Sequence, residues 1–297
     1  MTGQRGHKFW SLGVALTVAA IHPTGCSHAP EPDPPAAAAR NAPPERRGHS
    51  HNDYTRREPL TQALTLGFGS IEADVFLVDG VLMVAHDREE IRPHRTLTAL
   101  YLDPLATRAR ERGGHIYEPG EPPLLLFIDI KADGPAAYRA IHAELDRRAD
   151  VFTDYDNGVV TPRAVTVIIS GDIPRDLIAS QCRRRAFVDG RIPDLTRDRR
   201  DAPPATLVPV VSIPYLRHFQ WLGHGDMPPA ESAKLRELGQ RARERGYLLR
   251  FWGVPHSEAV WRAQLEAGVD LLNADNLPRA AAFLRAHAAH SIDEPAE

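Results

Sequence analysis

The chain has 297 residues, 42% of them hydrophobic and 25% charged, and carries a net charge of -3. That length allows one large domain or two small ones with a sizeable core. The charge balance, with no basic segment interleaved with aromatics, argues against nucleic acid as a partner. The only lysines are Lys8, Lys131 and Lys234, so positive charge is almost all arginine, and the run Arg183-Arg184-Arg185 is expected on a solvated surface.

Arg5 and Lys8 precede an apolar run from Phe9 to Ile21, short for a membrane span, which reads as an export signal over residues 1–26. Gly25-Cys26 resembles the cleavage box of bacterial lipoproteins, although Pro23 stands where leucine is usual. The resemblance implies lipidation of Cys26 and an N-terminal membrane anchor; ordinary secretion is the second reading. Residues 27–47, rich in Pro and Ala, read as an extended tether, residues 48–290 as the folded domain and residues 291–297 as a flexible tail. With Cys26 lipidated, Cys182 has no partner, so neither an intrachain disulfide nor a cysteine metal site is expected. No feature calls for an obligate protein partner.

Strands are expected over Gly48–His51, Ser70–Leu77, Leu124–Lys131, Val165–Ser170, Ala186–Asp189, Leu207–Ile213, Leu248–Val254 and Asp270–Asp275. Asp79-Gly80 is a two-residue hairpin signal that folds Val81–Ala85 back beside the second strand. Between strands lie helical periods: Tyr138, Ile141, Leu145 and Ala149 share a face, Pro229–Arg245 is stopped by Gly246, Ser257 stands before a helix to Ala267, and Pro278 suits the first turn of a last helix. Eight strand-like units alternating with helices predict an α/β (β/α)8 barrel with a hairpin inserted after the second strand; a doubly wound sheet shows the same alternation. The continuously apolar runs Leu124–Ile128 and Val165–Ile169 favour the barrel's doubly covered parallel strands. Arg200–Ala205 and the loop Tyr215–Pro229, with Trp221 near its middle, are expected to shape the mouth, and an exposed Trp there would suit a lipid surface.

Side chains alternate along a strand, so Glu72 and Asp74 share a face. Adjacent carboxylates repel, and an oxygen-only pair suits a hard cation, Mg²⁺ or Ca²⁺. The hairpin returns His86 to the same neighbourhood. Asp129 ends the third strand with Lys131 on its face, giving a triad of acids at strand ends with an ammonium that is placed to hold a carboxylate or a substrate phosphate. His51 heads a polar run with little reason for burial, which makes His51 and His86 candidates for proton transfer. His49 is expected to be a structural histidine.

These residues resemble the glycerophosphodiester phosphodiesterase and phosphatidylinositol-specific phospholipase C-like superfamily, which includes the sphingomyelinases D. The resemblance spans about residues 48–285 and rests on His51, Glu72-x-Asp74, the hairpin to His86-Asp87, Asp129-x-Lys131, Trp252 on the seventh strand, and Gly268-Val269-Asp270 leading to Asp275. Within it, Ser50-His51-Asn52-Asp53-Tyr54 is similar to the opening of the altered-inheritance-of-mitochondria subgroup, while Asp129 as third acid is similar to the sphingomyelinase D pattern. The resemblance implies one divalent cation on Glu72, Asp74 and Asp129, acid–base chemistry by His51 and His86, and a small-molecule or lipid phosphodiester as substrate. Asn52, Lys131, Trp252 and Asp275 are then the substrate-binding candidates, with Asp275 also able to orient a histidine. The arginine and the Pro-Glu-Asn-Thr stretch usual in glycerophosphodiesterases are missing, and Arg56 or Arg57 is the candidate replacement for the phosphate contact.

Two other readings compete. His49-x-His51 is similar to the metal-binding opening of amidohydrolases and histidinol-phosphatase-like barrels, though His218 and His224 lie too far into a loop to complete such a set. A surface lipoprotein that binds a ligand on an inactive barrel is the non-enzymatic reading, disfavoured because all five acid and histidine candidates are present.

Overall fold

The computed structural model describes residues 42–293 and the first two residues; the export signal, Cys26, most of the Pro/Ala segment and residues 294–297 lie outside the described residues. Eight parallel strands close on themselves: β1 (Gly48–Ser50), β2 (Ser70–Val78), β4 (Leu124–Ile130), β7 (Val165–Gly171), β9 (Ala186–Gly190), β10 (Val210–Pro214), β11 (Leu248–Trp252) and β12 (Leu271–Ala274). Each pairs with its neighbour, and β1 joins both β12 and β2, which shuts the barrel and rules out the open doubly wound sheet. β3 (Val81–Val84) lies antiparallel on β2, through a turn whose two residues, Asp79 and Gly80, both have positive φ (48° and 79°). Paired positive φ values match the right-handed twist of a hairpin, which is why Asp-Gly stands there.

Helices run outside the barrel: α1 (Thr61–Thr65), α2 (Asp103–Glu111), α3 (Gly134–Asp146), α4 (Arg175–Ala179), α5 (Ile192–Thr196), α6 (Pro229–Glu244), α7 (Glu258–Glu266) and α8 (Leu277–Asp293). Their buried stripes follow the helical period, as in Ala137, Tyr138, Ile141 and Leu145 of α3. These stripes meet the outward faces of the strands, such as Ile71, Ala73 and Val75 of β2, in one continuous core. A second, smaller cluster of Phe127, Ile168, Phe187, Val210, Leu248 and Leu271 fills the barrel interior. Two residues further along their strands, Asp129, Ser170, Asp189, Ser212, Arg250 and Asn273 face the same interior, so the lumen turns polar towards its C-terminal end.

Three expectations are corrected. Arg200–Ala205 does not shape the mouth: the Tyr247 hydroxyl, just before β11, donates to the Pro203 carbonyl, which places this segment at the opposite end of the barrel. Arg184 is buried and its guanidinium lies over the Tyr155 ring at 3.6 Å, inside a small sheet of β5 (Asp154–Asp156), β6 (Val159–Thr161) and β8 (Arg183–Arg184). Cys182 is disulfide-bonded, against the expectation that it has no partner. A short turn at Pro44–Arg47 also belongs to the folded part, because Arg46 pairs with Glu121 at 2.6 Å and donates to the Gly67 carbonyl. α8 runs on to Asp293, into the segment expected to be a tail. Among the described residues no helix is long and apolar enough to cross a membrane.

Candidate active site

The register sets the site. Asp74 on β2 stands opposite Asp129 on β4, and Asp129 opposite Ser170 on β7, so one rung at the C-terminal end carries two carboxylates and a hydroxyl. Lys131 Nζ bridges that rung, 2.6 Å from Asp74 Oδ2 and 3.1 Å from Asp129 Oδ1. Burial works against the Lys131 proton, but Asp129 and Asp74 outweigh it and hold the ammonium above its ordinary value. Ser170 Oγ donates to Asp129 Oδ2 at 3.1 Å. Gly171 (φ 73°) follows because the chain turns tightly here and a Cβ would stand 2.6 Å from Asp129 Oδ1.

Asp74 Oδ2 is a hub. Besides Lys131 it accepts the Tyr54 hydroxyl at 2.8 Å and His86 Nδ1 at 2.9 Å. Burial and the nearby Glu72 charge push its carboxyl up, with Lys131 opposing. Its other oxygen, Oδ1, is buried without a hydrogen-bond partner.

Glu72 lies one rung deeper. Its Oε2 is held by His49 Nε2 at 2.8 Å and by Arg250 at 3.2 Å. Burial opposes its ionisation, but the Arg250 guanidinium and the His49 hydrogen bond hold the carboxyl well below the usual range. Burial, helped by Arg250, lowers His49 to about 3. The neutral ring then donates from Nε2 to Glu72 and accepts the Ser70 hydroxyl at Nδ1, 2.7 Å away. Both ring nitrogens are occupied, which leaves His49 no lone pair for a metal and removes the support for a His49-x-His51 centre.

Across the mouth, His51 follows β1 and its N–H still bonds to Ala274. Its Nδ1 donates to Asp275 Oδ1 at 2.8 Å, and His256 Nε2 lies 3.2 Å from Asp275 Oδ2 without a hydrogen bond between them. Burial works against the His51 proton, yet the Asp275 bond and the Glu72 charge raise its affinity above normal. The same bond holds the Asp275 carboxyl below the usual range.

The remaining candidates fall unevenly. Asn52 sits at the same mouth with a left-handed backbone (φ 45°) and a half-buried side chain. Trp252 is 41% exposed at the end of β11, whereas Trp221 is half-buried with Nε1 donating to the His224 carbonyl at 3.1 Å. Arg56 is not free for a phosphate: it donates to the Asp275 carbonyl (2.9 Å), the His51 carbonyl (3.3 Å) and Ser50 Oγ (3.2 Å), fastening the first strand end to the last. Asp53 orders the loop, accepting from Ser50 Oγ, Leu60 N and Tyr101. The roles of Tyr54, Ser170 and Arg250 and the place of His256 are new here. For Arg250 the signal was its place between Leu249 and Phe251, where alternation turns a lone charge into the lumen.

The chemistry of the donor set suits a hard cation, since Glu72, Asp74 and Asp129 offer only oxygen and Asp74 Oδ1 is buried without a hydrogen-bond partner. The three carboxylates do not stand as a ready cage: among the described residues no group of three or more His, Cys, Asp or Glu is arranged to hold a metal, and Lys131 supplies the positive charge between two of them.

Residues 38–189 match the AIM6-like phosphodiesterase domain. Altered inheritance of mitochondria protein 6 of Eremothecium gossypii is 30% identical over 279 residues, covering 84% of this chain and 72% of that protein. The chain belongs to the AIM6-like phosphodiesterase family. A homolog of the same protein in Arthroderma benhamiae is 30% identical over 261 residues, covering 79% of this chain and 82% of its own. A glycerophosphodiester phosphodiesterase from Agrobacterium tumefaciens aligns over 83% of this chain and 95% of its own, at 15% identity and a TM-score of 0.42. The barrel assignment rests on the closed sheet itself. The family match spans the strands that carry His51, Glu72, Asp74, His86 and Asp129, while Trp252, His256 and Asp275 lie beyond it.

Proposed function

We propose that this family member is a divalent-metal-dependent phosphoric diester hydrolase acting on a glycerophosphodiester or phospholipid-type substrate. The observation that carries the reading is a repeated geometry: His51 and His86 are each tied through Nδ1 to an aspartate, and among the described residues neither Nε2, at the same end of the barrel, has a hydrogen-bond partner. Two imidazoles presented this way can divide the work of base and acid. His51, where Asp275 and Glu72 outweigh burial and raise its proton affinity, takes the proton from the nucleophile, a water or a neighbouring substrate hydroxyl. His86 Nε2–H protonates the leaving oxygen as the phosphorus–oxygen bond breaks. Water attack gives a phosphomonoester and an alcohol; attack by a substrate hydroxyl gives a cyclic phosphate. Lys131 offsets negative charge that builds on the phosphoryl oxygens. Mg²⁺ or Ca²⁺ held by Glu72, Asp74 and Asp129 would supply Lewis-acid polarisation of a phosphoryl oxygen. Asn52 and Trp252 border the substrate.

Export is part of the same proposal, because a disulfide at Cys182 suits an oxidising compartment. Lipidation of Cys26 is the competing form of export, because the sequence holds two cysteines and a lipidated Cys26 would leave Cys182 no disulfide partner within the chain; the intact mass of the mature protein decides between anchoring and release.

The test is hydrolysis of bis(p-nitrophenyl) phosphate, glycerophosphodiesters and lysophospholipids with Mg²⁺, Ca²⁺ or EDTA, beside Glu72→Gln and His86→Ala. Metal-dependent turnover lost in both variants is expected. Tight metal binding that Glu72→Gln removes, with no turnover of any diester, would overturn hydrolysis in favour of a binding protein.

A further inference from the structure

A folded core keeps most large apolar side chains inside, so a place where several gather outside points to something that covers them. Among the described residues six such side chains are exposed. Three of them, Leu216 (62%), Leu222 (49%) and Trp252 (41%), stand on two neighbouring connections at the C-terminal end of the barrel. We propose that this corner of the rim docks on a phospholipid bilayer, with the three side chains in its interfacial layer, so that the substrate is a membrane-resident phospholipid and not a soluble diester. As a statement about substrate, the inference rests on the phosphodiesterase reading.

Register and loop packing bring the three together. Pro214 of β10 pairs with Trp252 of β11, and Leu216 follows Pro214 by two residues. Leu222 comes from further along the same connection, where a Cβ on Gly223 would stand 2.2 Å from Ser257 Oγ, just before α7. The connection that begins at Trp252 leads into that same α7. The loop is also held from within. The Tyr215 ring stacks on Phe219 at 4.9 Å, and its hydroxyl donates to the Trp221 carbonyl at 3.0 Å. Lys234 Nζ donates to the His218 carbonyl at 3.0 Å, and the Glu231 carboxylate accepts the N–H groups of Gln220 and Trp221. Leu216 and Leu222 therefore stay outside while their neighbours Tyr215 and Phe219 are buried.

The chemistry of the corner selects lipid as its occupant. An indole at a rim suits the boundary between headgroups and acyl chains. Arg217 stands beside Leu216 and His224 close to Leu222; both are exposed, and Arg217 has no ion pair among the described residues. Of the two acids on or beside this loop, Asp226 and Glu231, the second is turned to backbone N–H groups. A cation next to an apolar anchor meets the phosphate layer as the anchor enters the acyl boundary. A second copy of the chain fits poorly, because three part-exposed side chains offer far less than the roughly 800 Å² per partner that a stable dimer buries. His51 and His86 open at the same end, so docking here brings headgroups to the mouth.

Co-sedimentation of the unlipidated full chain with phosphatidylcholine vesicles tests this. The wild type is expected to bind, and Leu216→Ser/Leu222→Ser to weaken binding about tenfold or more. Both leucines are exposed, so the thermal midpoint and the turnover of bis(p-nitrophenyl) phosphate should stay unchanged in that variant, while turnover of lysophospholipid held in the vesicles falls. On vesicles made partly of phosphatidylglycerol, Arg217→Gln should lose about fivefold in binding. No vesicle binding by the wild type, or equal binding by the double variant, would overturn the proposal. So would a dimer in sedimentation velocity that the double variant dissolves, since the corner would then belong to a second copy. Vesicle binding through these leucines by a chain that cleaves no diester would refute the enzymatic reading and not the docking; soluble turnover without vesicle binding would do the reverse.

Discussion

The two flanks of the mouth present a histidine in the same way, yet the aspartates that hold them differ. Asp74 is fully buried on β2, and one of its oxygens receives Tyr54, His86 and Lys131 together. Asp275 is 50% exposed just past β12, and among the described residues its carboxylate accepts a hydrogen bond from His51 alone, with His256 Nε2 3.2 Å from the other oxygen. Surroundings push the carboxyl of the first up and that of the second down. Asp74 thus joins chemistry to the fold, since losing it would take the acceptor from the buried Tyr54 hydroxyl and one of the two carboxylates that hold Lys131. Asp275 is a tool for one imidazole, standing where water can replace what it gives the fold.

The largest effect is expected beneath both flanks. Glu72 acts electrostatically on Asp74 and on His51, and its own charge is sustained by Arg250 in a nearly closed lumen. Arg250→Met removes one member of a buried pair and should cost about 3–5 kcal/mol. Urea unfolding measures it, and a loss under about 1 kcal/mol would mean that water already reaches Glu72. Next comes the contrast itself. Asp74→Asn should cost about 3 kcal/mol and abolish turnover, whereas Asp275→Asn should leave stability within about 0.5 kcal/mol while lowering kcat/KM on the order of 10²-fold or more. Equal stability losses in the two variants would break the distinction drawn between them.

How much of this was legible in the sequence follows the same divide. Glu72, Asp74 and His86 could be read together because strand alternation and an Asp-Gly turn are local rules with one outcome. Asp275 was legible only as a strand-end acid, and its pairing with His51 needed the barrel to close, a contact across 224 positions of sequence. Tyr54 and His256 were out of reach for another reason: each projects from a connection whose direction no periodicity fixes. The arginine expected to greet a phosphate, Arg56, turned instead to backbone carbonyls, because strand ends left open by the barrel's rim need donors. Arg200–Ala205 was misplaced because a Pro-rich loop carries no mark of which end of a barrel it occupies.

A pH effect separates the flanks further. The Asp275 carboxyl is depressed by its bond to His51, so the stability it lends is present above the ordinary carboxylate range and is lost as pH falls through its lower folded value. For His51 burial opposes the proton, but Asp275 and Glu72 prevail, so its contribution is complete below its ordinary value and is lost as pH rises through the raised folded one. The pair therefore stabilises most between about pH 4 and about pH 6.5. The difference in unfolding free energy between the wild type and Asp275→Asn should peak in that window and shrink on either side. A difference that instead keeps growing above neutral pH would show that His51 does not gain its proton affinity from Asp275.

The smallest effect isolates the crowding on Asp74. Tyr54→Phe takes one of three donors from Oδ2 and leaves no buried donor behind, since the ring keeps its place and the hydroxyl goes with its proton. His86 and Lys131 continue to hold the oxygen, so the expected loss is about 1 kcal/mol, the net value of one hydrogen bond. The neighbouring 3.3 Å approach of the hydroxyl to His86 Nδ1 also disappears, which leaves that nitrogen bound to Asp74 alone. His86 then has more freedom to turn, and a modest fall in kcat with KM unchanged should follow, while the His51 titration on the far flank stays as it was. If His51 moves as well, the flanks communicate through Glu72 and the two dyads form one electrostatic unit.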